Sequence, residues 1–208
     1  MTINDTIVKG LQIYADMHTD REILSNSIQM CDEWFVDLNK IYRWYWAVGA
    51  MIKPESVLEL GVRYGYSAVA LLRGLLATAG SCDIPYIGVD SECDGIPSNA
   101  IAAKNLRWLN PQAAILKYST ADPELNSTIQ SVRGRGLPFD LIHIDGDHSE
   151  AGIINELAIA KIWSTGNTII LVDDCNTDHI NKAVTDFCCE SGRMVTYLPT
   201  YHRLGLVT

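Results

Sequence analysis

The spacing of apolar residues changes near residue 53 from a helical pattern to one of short strands separated by helices. The first part holds an apolar stripe that recurs at intervals of three and four, as on one face of a helix: Trp34, Leu38, Ile41, Tyr45 and Val48. Trp44 and Trp46 fall off this stripe, so they suit a neighbouring element, a pocket mouth or a partner equally. We predict a helical cap or lid over residues 1–52.

From residue 55 onward, short apolar runs alternate with helical stretches. The predicted strands are 56–60, 86–89, 114–118, 141–144 and 168–172, and the predicted helices between them are 67–79, 99–108, 121–132 and 149–163. A helix over 180–190 precedes two last runs, 194–198 and 204–207, which suit an antiparallel edge pair. This alternation predicts an α/β three-layer sandwich with a mostly parallel seven-stranded sheet over residues 53–208.

The composition is that of an acidic globular protein. Hydrophobic residues make up 48% of the 208 residues, and 16 Lys+Arg against 25 Asp+Glu give a net charge of -9, so we expect no nucleic-acid partner. No apolar run approaches the roughly 20 residues of a membrane span, and we see no signal peptide, so we expect a cytoplasmic protein without a membrane partner. The six cysteines show no zinc-ligand spacing, which favours free thiols.

Ligands of open α/β sheets bind beyond the carboxyl ends of the strands, so the residues that follow each predicted strand carry the functional argument. Gly61 and Gly65 follow the first strand, and a helix begins after them. Glycines let a ligand approach the backbone, and a helix N-terminus attracts a carboxylate or a phosphate. The G-x-x-x-G spacing also suits an ordinary tight turn, and it differs from the G-x-G-x-x-G of nicotinamide-cofactor sites.

Polar residues follow the second and third predicted strands. Asp90 stands where nucleotide-binding α/β folds bind ribose hydroxyl groups, although a solvated carboxylate after a strand fits equally well. Ser119 and Thr120 follow the third strand, where their hydroxyls can bond an adenine edge or cap the next helix.

The fourth and fifth strands are followed by the densest polar clusters of the chain. Asp145 and His148 follow the fourth strand, within which we expect His143 to be a satisfied buried histidine. Asp173 and Asp174 follow the fifth, and adjacent carboxylates repel each other unless a cation or a donor compensates. Because the two strands are expected to be neighbours, we predict that Asp145, Asp173 and Asp174 bind one divalent cation, Mg²⁺ foremost. The alternative is that Asp173 or Asp174 caps a loop and no metal binds.

These residues resemble a known family. The segments 57–61 (VLELG) and 65–68 (GYSA) are similar to the first motif of class I S-adenosylmethionine-dependent methyltransferases, catechol O-methyltransferase among them. The segment 139–174, with Ile-Asp-Gly-Asp-His at 144–148, resembles small O-methyltransferases that include relatives active on natural-product sugars. The resemblance covers about residues 55–175. It implies a Rossmann-like fold and an O-methyltransferase that acts on a hydroxyl of a small molecule, and a homo-oligomer is compatible with it.

The resemblance also assigns residues to the cofactor S-adenosylmethionine. Glu59, Gly61 and Gly65 would shape the pocket for its methionine part, with Tyr66 in the same site and Ser67 near the carboxylate. Asp90 would accept hydrogen bonds from the ribose hydroxyls, and Ser119 or Thr120 would lie near the adenine. Asp145 would border this site.

The resemblance places the catalytic groups at the fourth and fifth strand ends. Asp145, Asp173 and Asp174 would hold the cation, and His148 would take the proton of the attacking hydroxyl. Catechol enzymes commonly carry an asparagine where this chain has Asp174, and a lysine where it has His148, so both positions are closer to the sugar-methylating branch.

Together these assignments predict a direct displacement at the sulfonium methyl group, with Asp145 and His148 as catalytic residues. We expect the start of a helix to disfavour the charged form of His148 and so to keep the imidazole available as a base. Three alternatives stay open at this point: a metal-dependent hydroxylase-like tailoring enzyme on the same fold, a nicotinamide-dependent oxidoreductase, and a non-catalytic binding module.

Overall fold

A computed structural model describes residues 3–24, 41–93 and 95–208. The strands are β1 Val57–Leu60, β2 Tyr86–Asp90, β3 Ala114–Lys117, β4 Leu141–Ile144, β5 Ile169–Val172, β6 Val195–Tyr197 and β7 Gly205–Val207. The helices are α1 Ile3–Ala15, α2 Asp20–Leu24, α3 Tyr42–Ile52, α4 Tyr66–Ala79, α5 Ser98–Leu106, α6 Leu125–Arg133, α7 Glu150–Trp163 and α8 Asp178–Ser191. Trp34 and Leu38 of the predicted apolar stripe lie outside the described residues.

The seven strands form one sheet in the order β3-β2-β1-β4-β5-β7-β6. Strands β1 to β5 pair in parallel, and β7 pairs antiparallel with both β5 and β6. The predicted mostly parallel sheet with an antiparallel edge is thereby confirmed. Helices cover both faces, because buried residues of α3 and α4 pack on one side and those of α6, α7 and α8 pack on the other.

The sheet has its switch point at β1, which pairs with β2 on one side and with β4 on the other. The register is even across this region, since Leu60 lies opposite both Val89 and Ile144, and Ile144 lies opposite Val172. The residues that follow these strands therefore emerge at one edge of the sheet. Ligands of such sheets bind at that edge.

Helix α3 is buried on almost all sides and packs directly on α4. A β-carbon at Gly49 would lie 1.9 Å from the carbonyl oxygen of Leu71, and one at Gly74 would lie 2.0 Å from that of Trp46. Only glycine permits this approach of two helix backbones. The two tryptophans that fall off the apolar stripe are buried as well, with Trp44 at 3% and Trp46 at 7% exposure. Trp46 packs against Tyr14 of α1, so it covers a neighbouring element, which is one of the roles that the sequence left open for it.

Element boundaries differ from the sequence prediction by a few residues. The largest difference is at α6, which begins at Leu125 and not near residue 121. The Asp122 side chain accepts a hydrogen bond from the Glu124 backbone, 2.9 Å away, and forms a turn there. Pro123 adds to this, because proline disfavours helical backbone angles in the residue before it.

The described cysteines are free thiols, as expected: Cys82, Cys93, Cys175, Cys188 and Cys189. Among the described helices, none is both long and apolar enough to cross a membrane.

A buried carboxylate from α2 fixes the start of α3. Asp20 is 5% exposed, and its Oδ1 accepts a hydrogen bond from the backbone N–H of Arg43, 2.9 Å away. Burial raises the pKa of Asp20, although hydrogen bonds from the backbone of Arg43 and its neighbours oppose this. Asp20 thus acts as a capping residue that comes from a different helix, since the first N–H groups of a helix lack partners within it.

We expect Asp20→Ala to lower the free energy of unfolding by about 1–2 kcal/mol, because α3 loses a buried capping acceptor. Asp20→Asn retains a side-chain oxygen, so it should cost less. Urea unfolding of the three proteins measures both changes. Equal losses for the two variants would contradict the capping role.

Candidate active site

One cavity of about 620 Å³ opens at the carboxyl ends of the strands, within the ~300–1,000 Å³ range of small-molecule sites. It joins most of the residues that the sequence singled out. Those on its wall are Gly61, Tyr66, Ser67, Asp90, Ser119, Thr120, Asp145, His148, Asp173 and Asp174. Two predicted residues, Glu59 and Gly65, are not on the wall.

In the turn after β1, the backbone of Gly61 lies very close to the backbone of Asp145. Gly61 has a φ of 90°, and a β-carbon there would lie 2.0 Å from the carbonyl oxygen of Asp145. Asp90 holds the same turn, because its Oδ2 accepts a hydrogen bond of 2.7 Å from the backbone N–H of Arg63. Its Oδ1 accepts one of 2.8 Å from the N–H of Glu92. Since each carboxylate oxygen has a second lone pair, Asp90 can bind a hydroxyl and still support the turn.

Glu59 lies behind the cavity wall and is 2% exposed. Its carboxylate accepts hydrogen bonds from the hydroxyls of Ser67 and Tyr86, and His143 Nδ1 lies 3.2 Å from its Oε1. Glu59 does not line the cavity itself, but it contacts Ser67, which does, so its expected part in shaping the cofactor pocket stays a prediction. Gly65 is likewise buried, at the cap of α4, where it fixes the direction of the helix.

Of the two roles that the sequence left open for the residues after β3, capping of the next helix is not observed. Ser119 Oγ accepts a hydrogen bond of 3.2 Å from the backbone N–H of Ala121, so it stabilises the turn. Ser119 and Thr120 both also line the cavity. Neither caps α6, which begins at Leu125.

The strand ends after β4 and β5 bring two carboxylates and an imidazole together. One ligand atom each of Asp145, His148 and Asp174 lies within 4.8 Å of the others. His148 thus joins Asp145 and Asp174 in this group, and the predicted metal-binding role of Asp173 stays a prediction. The Asp173 side chain accepts a hydrogen bond of 2.8 Å from the Asp174 backbone. The carboxylate oxygens of Asp145 and Asp174 suit Mg²⁺ or Mn²⁺, whereas an imidazole ligand suits zinc, copper, iron or nickel.

Asp173 is a candidate for a protonated carboxyl group. Burial and the charge of Asp145 raise its pKa to about 7. A neutral Asp173 removes part of the repulsion expected between Asp173 and Asp174. The remaining compensation comes from His148 and His202, which both contact Asp174.

His148 lies between two carboxylates. Its Nε2 is 3.4 Å from Asp145 Oδ1, and its Nδ1 is 2.8 Å from Asp174 Oδ2. Hydrogen bonds to Asp145 and Asp174 raise the pKa of His148 to about 10, the opposite of the direction expected from its place near a helix start. The reason is that two adjacent carboxylates outweigh the partial charge of the helix end.

His202, in the turn between β6 and β7, completes the cluster and was missed by the sequence analysis. Its Nδ1 contacts Asp174 Oδ1, and this hydrogen bond raises the pKa of His202. Burial would raise the pKa of Asp174, but hydrogen bonds from His148 and His202 hold it well below its usual range. No local motif marks His202, because it reaches the site only through the antiparallel strand pair.

Two other groups on the cavity wall were not predicted. Glu156 on α7 is 1% exposed, and burial raises its pKa to about 8. It accepts a hydrogen bond of 2.8 Å from the Asp147 backbone, so it holds the loop that carries His148.

The start of α3 also contributes to the wall, through Ile41 just before the helix and through Tyr42 and Tyr45 within it. The predicted division of the chain at residue 52 stays a prediction.

Residues 58–175 match the model of a family described as a methyltransferase domain. This match spans more than half of the chain, which therefore belongs to this methyltransferase family. The predicted enzyme class, an S-adenosylmethionine-dependent methyltransferase, is thereby confirmed, and the oxidoreductase and binding-module alternatives lose their support. A comparison with curated proteins finds no significant match.

Solved structures with the same fold include several O-methyltransferases. One is an O-methyltransferase from Bacillus cereus in complex with SAH, with 18% identity, a TM-score of 0.58, and coverage of 100% of this chain and 91% of that chain. Another is a putative caffeoyl-CoA O-methyltransferase from Staphylococcus aureus, with 14% identity, a TM-score of 0.59, and coverage of 97% and 98%. A third is CalS11, a TDP-rhamnose 3'-O-methyltransferase of calicheamicin biosynthesis, with 11% identity, a TM-score of 0.61, and coverage of 100% and 95%.

The contacts of His148 predict a pH-dependent stability. Its pKa is about 10 in the folded chain, against an ordinary value of 6.5. A raised folded-state pKa stabilises the protein fully below about pH 6.5, and this contribution is lost as the pH rises through about 10. We expect wild type to unfold at a higher temperature than His148→Gln near neutral pH, with a difference that shrinks toward pH 10. Thermal unfolding followed by circular dichroism measures this, and a constant difference would contradict it.

Proposed function

We propose that this protein transfers the methyl group of S-adenosylmethionine to a hydroxyl of a small molecule, with the help of a divalent cation. The observation that carries this proposal is the single cavity that joins the glycine turn, Asp90 and the cluster of Asp145, His148 and Asp174. One end is suited to a nucleoside with a carboxylate, and the other is suited to a hydroxylated acceptor.

The cofactor end of the cavity has the groups that such a ligand requires. Ser67 lies in the first turn of α4, where backbone N–H groups favour a carboxylate. Asp90 retains lone pairs for ribose hydroxyls, and Ser119 with Thr120 provides small polar groups for the adenine. S-Adenosylmethionine supplies an electrophilic methyl group on a sulfonium. The chain contributes mainly by positioning this group against the acceptor.

The acceptor end is where we place the cation, which Asp145 and Asp174 would hold, with Asp173 beside them. A divalent cation lowers the pKa of a hydroxyl that it contacts. Asp145 and Asp173 directly follow the paired residues Ile144 and Val172, so the sheet brings these two strand ends together. Asp173 and Glu156, whose pKa values are raised, add acidic groups that can take or give protons near neutral pH.

His148 remains our proposed proton acceptor, under a condition that the structure makes explicit. Both of its ring nitrogens face carboxylates, which only accept hydrogen bonds, so the isolated imidazole carries two protons. It can act as a base once the charges of Asp145 and Asp174 are compensated by another cation. The base and the cation-binding group are therefore linked through the same two aspartates.

The acceptor class that we propose is a sugar or a natural product with neighbouring hydroxyl groups. The cavity of about 620 Å³ has the volume of a small-molecule site, and its acidic lining disfavours nucleic acids. CalS11, which shares this fold, acts on a sugar nucleotide according to its name. A metal-dependent hydroxylation on the same fold would give a different product mass.

We expect the purified chain to bind S-adenosylhomocysteine, measured by isothermal titration calorimetry after removal of carried-over ligand. Asp90→Ala should weaken binding by roughly ten- to a hundredfold, because it removes a charged hydrogen-bond acceptor. Asp178→Asn, which changes an exposed acid of α8, serves as the control and should bind like wild type. If a folded wild-type sample shows no binding, the cofactor assignment fails.

Mass spectrometry of products tests the reaction itself. We expect incubation with S-adenosylmethionine, Mg²⁺ and either catechol or a methyl rhamnoside to add one CH₂ to the acceptor. Chelation of the metal and Asp145→Asn should each reduce turnover by roughly a hundredfold or more, since both remove the group that activates the hydroxyl. Addition of an oxygen atom would favour hydroxylation, and full activity in chelator would remove the cation from the proposal.

A further inference from the structure

A line of buried polar contacts runs from Ser67, near the start of α4, to Tyr45 on the cavity wall. Glu59 accepts hydrogen bonds from the hydroxyls of Ser67 and Tyr86, and its Oε1 lies 3.2 Å from His143 Nδ1. His143 Nε2 in turn lies 2.9 Å from the hydroxyl of Tyr45. Glu59, Tyr86, His143 and Tyr45 are each no more than 2% exposed.

The partners of His143 define what Tyr45 can still do. A carboxylate only accepts hydrogen bonds, so His143 Nδ1 carries the proton in its contact with Glu59. The contact between His143 Nε2 and Tyr45 occupies one position of the tyrosine hydroxyl, which has one donor and two acceptor positions. The hydroxyl can therefore bind a second partner.

We place this second partner on the cavity side. Tyr45 is on the cavity wall, and its ring packs edge-on against the ring of His143, with centroids 4.7 Å apart. Burial and the charges of Asp173 and Asp145 raise the pKa of Tyr45, so its hydroxyl stays protonated. Tyr45 and Asp145 line the same cavity, so one molecule bound there can contact both.

We propose that Tyr45 binds the methyl acceptor through its hydroxyl, and that His143 and Glu59 are positioning residues that hold Tyr45 in place. This inference rests on the proposed function and adds a contact that the acidic cluster does not provide. A buried polar group of this kind contributes little to stability compared with an apolar core. Its value lies in a fixed orientation, because a contact held by packing and hydrogen bonds positions a reacting group more accurately than a mobile one.

The test compares three single variants and one double variant with wild type in steady-state methylation of catechol or the methyl rhamnoside, whichever wild type uses. Tyr45→Phe removes only the hydroxyl, and His143→Gln keeps hydrogen-bonding atoms but removes the imidazole. Tyr197→Phe is the matched control, because its hydroxyl bonds Asn181 away from the cavity. Thermal unfolding of each variant shows that it is folded.

We expect Tyr45→Phe to lower kcat/KM for the acceptor by about tenfold or more, while the KM for S-adenosylmethionine stays within about threefold of wild type. The combined Tyr45→Phe and His143→Gln variant should be no worse than the more impaired single one, because residues that act as a unit are not additive. Tyr197→Phe should behave as wild type. A purely structural role of Tyr45 would change both KM values and the unfolding temperature together.

Two results overturn the inference, and they are distinguishable. Folded Tyr45→Phe with wild-type kcat/KM for the acceptor overturns it alone and leaves the methyltransferase proposal intact. Wild type that methylates neither probe counts against the proposed acceptor class, and the assignment of Tyr45 falls with it. If Tyr45→Phe fails to fold, His143→Gln decides, because it should produce the same selective loss toward the acceptor.

Discussion

Parallel strand pairing places several carboxylates at one edge of the sheet, and the site depends on how their repulsion is relieved. Asp145 and Asp173 follow the paired residues Ile144 and Val172, so the sheet itself sets their separation. The chain relieves the repulsion in two ways: it raises the pKa of Asp173, and it places His148 and His202 against Asp174. A cation bound by the aspartates would have to replace what these imidazoles provide.

Much of this arrangement could be predicted from the sequence, because it depends on short-range patterns. Strand and helix order follow from apolar periodicity, and the rule that ligands bind at strand carboxyl ends identified Asp90, Asp145 and His148. The parts that escaped prediction depend on long-range contacts. His202 comes from the edge strand pair, and the raised pKa of His148 depends on Asp145 and also on Asp174, which is 26 residues away in sequence.

Glu59 shows how a residue that the sequence singles out can act on the cavity through its partners. Glu59 was predicted in the cofactor pocket, yet its oxygens are taken by Ser67, Tyr86 and His143. Its position within the strand VLEL gives no sign of this, since a strand alternates its side chains between two faces and the partners lie on β2, β4 and α4. Only the folded sheet shows that Glu59 supports the wall from behind.

The glycine contact between α3 and α4 has a consequence for redesign of the site. Gly49 and Gly74 let the two helix backbones touch, so the helix that carries Tyr45 and the helix that begins at the cofactor turn form one rigid pair. Acceptor preference therefore cannot be exchanged by grafting α3 alone from another protein. A graft has to bring both helices, or keep a glycine at each crossing point, for the new wall to stand at the same distance from the methyl donor.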